Sequence, residues 1–115
     1  MLTIDELKNL GADTEEGLGR CFGNEELYMK LIKMVPADAN FDGLKEALAN
    51  GDLKKGFEHA HALKGVLANL SLTPMYEKAS EITELLRAET EMDYQPLLDE
   101  LSELRDKLIA VIGEE

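Results

Sequence analysis

Apolar residues three or four apart recur along the whole chain, broken by turn and cap residues, and no stretch sustains the alternation of a strand. That period points to an all-α fold. Thr3 to Asn9 reads as a short helix, and Asp13 followed by Glu16 resembles a capping pair that opens a second, through about Cys21. Gly23-Asn24 ends it. Leu27, Leu31, Met34 and Val35 stripe a third helix, which Pro36 should kink or stop because proline lacks a backbone donor. Phe41, Leu44, Ala47 and Leu48 mark the next. Asn50-Gly51-Asp52 offers a left-handed cap and then an N-cap, so a helix should run from there to about Leu70. Thr73-Pro74 restarts the chain, with Met75, Ala79, Ile82 and Leu86 on one face. Asp93 and Pro96 begin the last helix, striped by Leu97, Leu101, Leu104, Leu108 and Ile112.

Connections this short favour antiparallel neighbours. The expected architecture is an antiparallel up-and-down four-helix bundle made by the three C-terminal helices and the Leu27 helix, with short N-terminal helices covering one end. The 115 residues suit one domain, 1–115, with its core at about 13–113. Against 12 Lys and Arg stand 24 Asp and Glu, a formal net charge of -12, which should repel nucleic acid and anionic lipid. No apolar run reaches membrane-spanning length, and Met1 to Leu10, which carries Asp5 and Glu6, lacks the basic start and apolar run of a secretory signal. A cytoplasmic monomer is expected. Cys21 is the only cysteine, so this chain cannot build an intramolecular disulfide or a thiolate metal cluster.

The segment Asp52 to Leu70 carries more than packing. Projected at about 100° per residue, Gly56, Ala60, Leu63, Val66, Leu67 and Leu70 gather on one side, with His59 near it. His61 falls almost opposite, on a face shared with Lys54, Glu58, Lys64, Gly65 and Ala68. A solvated helix face normally carries long polar side chains, yet Gly65 and Ala68 leave this imidazole unshielded. Glycine inside a helix costs about 1 kcal/mol relative to alanine, and the core stripe gives no reason for Gly65. A histidine is abundant in its neutral form at physiological pH, so its ring nitrogen can attack phosphorus without a strong base. Lys64, about one turn on, can partly neutralise a phosphoryl group on that ring.

Other readings are weaker. Glu58 and His61 have the Glu-x-x-His spacing of di-iron bundles, but such sites need that pair from two helices and both histidines here lie on one, so no metal site is expected. Glu77, Glu81 and Glu84 read as a solvated acidic face. Phe57 projects near the His61 face, where it either joins a partner-binding patch or packs on a neighbouring helix.

The run His61-Ala62-Leu63-Lys64-Gly65, followed by Ala68-Asn69-Leu70, resembles the signature of histidine-containing phosphotransfer domains. Gly17-Leu18-Gly19-Arg20-Cys21-Phe22-Gly23-Asn24 and Ala47-Leu48-Ala49-Asn50-Gly51-Asp52 resemble the family's opening helix and the turn before its histidine helix. The resemblance implies a phosphorelay intermediate in which His61 accepts a phosphoryl group from a receiver-domain aspartate and passes it to another receiver. Lys64 would be the charge partner and Gly65 the clearance position. The implied partners are receiver domains of hybrid sensor kinases and response regulators, which supply the magnesium, so the chain needs no cofactor of its own. Receivers would dock across Leu18, Phe22, Phe57 and Ala68. Two positions depart from the pattern: Ser71 replaces a helix-ending glycine, and Thr83 replaces a glutamine, where its hydroxyl would hydrogen-bond the ring or phosphoryl group. No Gly-rich loop ending in Lys-Ser/Thr is present, so the expectation is a phosphocarrier rather than a complete kinase. The competing reading is a non-catalytic helical adaptor that binds receivers without phosphotransfer.

Overall fold

The computed structural model describes residues 2–113, and every regular element among them is helical. The helices are α1 (Ile4–Asn9), α2 (Thr14–Arg20), α3 (Glu25–Met34), α4 (Ala39–Ala49), α5 (Leu53–Asn69), α6 (Thr73–Arg87) and α7 (Gln95–Ile112). A 3₁₀ turn, Val35–Ala37, separates α3 from α4 at Pro36. Capping side chains set the starts: Thr3, Asp13, Asn24, Asp38 and Asp52 each accept a backbone N–H from the first turn that follows. Among the described residues, no helix is long and apolar enough to cross a membrane.

Successive helices α4, α5, α6 and α7 pack side by side, a helical bundle of the expected class. Arg105 of α7 closes the circle, donating from Nε to the Pro36 carbonyl at 3.0 Å while its guanidinium lies 4.8 Å from the Phe41 ring centroid. The fourth bundle helix is therefore α4 and not the Leu27 helix. Pro36 breaks the chain between the two, and α4 lays buried Phe41, Leu44 and Ala47 inward, with α5 as its neighbour. Helix α3 instead meets the C-terminal end of α5, and the buried stripe here is Tyr28, Ile32 and, just after the helix, Val35, while Leu27 and Met34 face solvent.

Two stripes with the same spacing thus overlap on α3, and a polar detail selects between them. The Tyr28 hydroxyl donates to the Leu70 carbonyl at 2.8 Å, satisfying a helix-end acceptor, so the large ring can be buried without an orphaned polar atom. Gly17 makes the room, since a Cβ there would stand 2.6 Å from three atoms of that side chain. The end of α5 is fastened a second time at Ser71. This residue takes φ 54°, the left-handed conformation that closes the helix, with Leu72 N–H donating to the Leu67 carbonyl at 3.1 Å. A non-glycine residue there costs of order 1 kcal/mol. Ser71 Oγ donates to Glu16 Oε1 at 2.8 Å and the Ser71 carbonyl accepts from Asp13 N–H at 2.9 Å, so the strained residue also ties α2 to α5.

Gly17→Ala should therefore lower unfolding stability by about 1–3 kcal/mol in chemical denaturation, because the buried tyrosine cannot move aside. Burial, reinforced by Cys21 and Asp13, raises the Tyr28 hydroxyl from 10.0 to about 12. Above its unfolded-state value, the unfolded chain gives up this proton while the folded chain keeps it, so stability falls as pH rises from 10 towards 12. Stability measured across that alkaline window should fall less steeply in Tyr28→Phe than in the unaltered protein.

Candidate functional site

The inner face of α5 decides what its outer face presents. Gly56, Ala60, Leu63 and Leu67 are buried, which leaves His61 exposed in mid-helix. Gly65, one turn on, is also exposed, and a Cβ built there would meet nothing within 4 Å. The gap beside the imidazole is therefore open to solvent. Ala62 is exposed as well, and Ala68 is half-buried further along.

The flanks of the ring are built by α5 and α6 together. Phe57, one turn before His61, stacks on it with ring centroids 5.6 Å apart and planes 12° from parallel. Arg87, the last residue of α6, lies over the same phenyl ring, its guanidinium carbon 5.0 Å from the centroid. Lys64 Nζ stands 3.9 Å from Glu84 Oε2, and Arg87 Nε is 3.3 Å from both carboxylate oxygens of Glu84. One acidic residue thus faces both cations on the flanks of the histidine.

The expected residues divide accordingly. His61, Lys64 and Gly65 stand on one stretch of helix in the expected relation, with Phe57 joined to them. Phe57 is half-buried and packs against the core as well as against His61, so its place is a stack within the site rather than a free patch. Thr83 is a correction: it is fully buried and its hydroxyl donates to the Ala79 carbonyl at 2.7 Å. It points into the bundle, a threonine on an inward helix face that satisfies itself one turn back, and it makes no hydrogen bond to the ring. Leu18 is half-buried against the core. Phe22 is 95% exposed in the turn between α2 and α3 with φ 58°, a strained position for a bulky residue, and no contact joins it to His61.

His59 has a different environment, half-buried with Nδ1 2.9 Å from Asn40 Oδ1. Asn40 is itself held by the Asp38 cap through its backbone N–H and its side-chain amide. A Cβ at Gly43 would stand 2.5 Å from the His59 ring, so glycine is what lets this ring lie against α4. Among the described residues, no three His, Cys, Asp or Glu side chains gather as a metal site would require. The sequence reading missed Glu84 as a site residue, and Arg87 with it. Both belong to α6, and only the register between two helices brings them to Lys64 and Phe57 on either side of His61.

An all-helical bundle with an unshielded histidine on its second helix, a lysine one turn on and an empty position beside it defines a class of phosphate-carrying domain. A family model, Hpt domain, matches residues 34–113, and the chain belongs to that family. No curated protein and no solved structure matches. The family serves histidine phosphotransfer in phosphorelays through contact with receiver domains, as a phosphocarrier rather than a catalytic enzyme. The matched segment starts at the end of α3, so Leu18 and Phe22 lie outside it.

The two glycines should part company on substitution. Gly65→Ala should raise stability by about 1 kcal/mol, because alanine favours the helix and nothing crowds it. Gly43→Ala must push His59 off Asn40 and should be less stable than the unaltered protein, as thermal unfolding of the pair would show.

Proposed function

We propose that this chain is a phosphorelay intermediate in which His61 accepts a phosphoryl group from the aspartyl phosphate of one receiver domain and returns it to an aspartate of another. The single observation that carries the reading is the exposed His61 beside an open Gly65, with Lys64 one turn away. In the forward step the unprotonated ring nitrogen forms an N–P bond as the acyl O–P bond breaks, and the electron pair of that bond leaves with the receiver carboxylate. The proton on the other ring nitrogen can pass to solvent. Reversal with a second receiver restores the imidazole. Phosphoryl transfer needs positioning and charge stabilisation more than covalent help from the protein. Lys64 supplies a positive charge on this side, and the receivers of hybrid sensor kinases and response regulators supply the magnesium and the acidic pocket.

The chain works as one domain, a cytoplasmic monomer, and the receiver's active site enters the gap at Gly65 with Ala68 beside it. Leu18 and the solvent-borne Phe22 form the outer part of the docking surface, Phe22 being the large apolar side chain with the greatest exposure there.

Incubation with a phosphorylated receiver and magnesium should leave acid-labile label on the unaltered protein and on His59→Gln, and none on His61→Gln. Equal labelling of His61→Gln would reject the assignment, and no labelling of the folded, unaltered protein by any receiver would favour an adaptor. Gly65→Gln should fold normally and still slow transfer by an order of magnitude or more in a single-turnover assay, because a misplacement of about 1 Å can cost a hundredfold. Transfer at the normal rate would remove the clearance argument.

A further inference from the structure

The acidic face of α6 contributes a residue to the site. We infer that Glu84 is a positioning residue that holds Lys64 and Arg87 beside the empty imidazole and yields them to the phosphoryl group once His61 is loaded. The inference rests on the phosphocarrier reading and adds to it the residue that regulates the charge of the site. Three contacts support it: Lys64 Nζ to Glu84 Oε2 at 3.9 Å, Arg87 Nε to both Glu84 oxygens at 3.3 Å, and the Arg87 guanidinium 5.0 Å from the ring that stacks on His61. These contacts run from Lys64 through Glu84 and Arg87 to Phe57, the ring stacked on His61, so α6 reaches the imidazole through its neighbours on α5.

The charge balance gives this arrangement a direction. In the empty site one carboxylate offsets two cations, and the remaining exposed acidic group on the His61 face of α5 is Glu58, one turn earlier, accompanied by Lys54. A phosphoryl group on His61 brings one to two negative charges one helical turn from Lys64 and next to the Phe57 ring that Arg87 covers. It competes with Glu84 for these two cations, and a dianion with three acceptor oxygens is the stronger partner. The Lys64 contact is the looser of the two at 3.9 Å, against 3.3 Å for Arg87, so it is the one that yields more readily. Glu84 thereby keeps the cations ordered in the empty state and limits how strongly the loaded state is favoured, which suits a carrier that must release its cargo.

The test uses the full chain with Glu84→Gln, Glu84→Gln/Lys64→Gln and, as a control for the loss of one charge from the same helix, Glu77→Gln. With a phosphorylated receiver, Glu84→Gln should move the transfer equilibrium about threefold towards phosphorylated His61, the effect of one exposed charge at this range. The double variant should lose that gain, and Glu77→Gln should match the unaltered protein. Independently of any receiver, phosphoramidate can load the histidine chemically while NMR follows the Arg87 Nε–H and the Lys64 side chain. Loading should displace both signals in the unaltered protein, and Glu84→Gln should displace them before loading. An unchanged equilibrium together with signals indifferent to loading would overturn the inference. Failure of receivers to label the unaltered protein would instead strike the phosphocarrier reading, and the phosphoramidate arm would still judge Glu84.

Discussion

The structure depends on burying one stripe of α5. Ala60, Leu63 and Leu67 have no exposed surface, and Gly56 sits so close to Leu48 and Leu86 that a Cβ would lie 3.0 and 3.4 Å from them. Hiding each leucine is worth about 1.5–3 kcal/mol. Rotating α5 far enough to shelter His61 would bring these side chains into water, at a cost comparable to much of the 5–15 kcal/mol by which a small domain is stable. The exposure of the histidine is therefore a consequence of the core. His61 and Leu63 are two positions apart, about 200° around the helix, and the second cannot go in without the first coming out.

Rotation alone does not place α6 beside the ring. The axial position of α5 is fixed at its ends, by the Asp52 cap at the start and by Leu70 and Ser71 at the finish. Tyr28 of α3 bonds the Leu70 carbonyl, and Ser71, held in a left-handed turn, bonds Glu16 of α2. Helix α6 begins two residues after Ser71, so the same fastening sets the register between α5 and α6. That register brings Glu84 to Lys64 and Arg87 to Phe57. The short N-terminal helices contribute no residue to the His61 cluster, yet they hold the turn from which its geometry is measured.

Helix positions were legible because their signals are local. Asp13 and Asp52 cap helices through neighbours three residues away, and Gly51 takes the left-handed turn that its place in the sequence suggests. The outward placement of His61, Lys64 and Gly65 followed from the period of a single helix. What depended on a second helix was not legible. On α3 two stripes have equal spacing, and the choice of Tyr28 over Leu27 is made by Gly17 and the Leu70 carbonyl, both remote in sequence. Thr83 occupies a position read as facing the histidine, but it lies on the same inward face as Ile82, Leu86 and Ala79. Glu84, its neighbour, turns outward and meets Lys64 instead.

The two histidines show how little separates a ring packed into the fold from one left open to solvent. Both lie on α5, two residues apart, and each has a glycine associated with it. At His59 the glycine is on the neighbouring helix: Gly43 lacks the Cβ that would collide with the ring, so the imidazole lies against α4 and spends a nitrogen on Asn40. At His61 the glycine is on the same helix, and among the described residues nothing beyond its chain neighbours and its own helix backbone comes within 4 Å of the place its Cβ would occupy. A glycine that admits a neighbour is explained by that neighbour. Gly65 has none among the described residues although it weakens its own helix, which supports the proposed approach of a partner from outside.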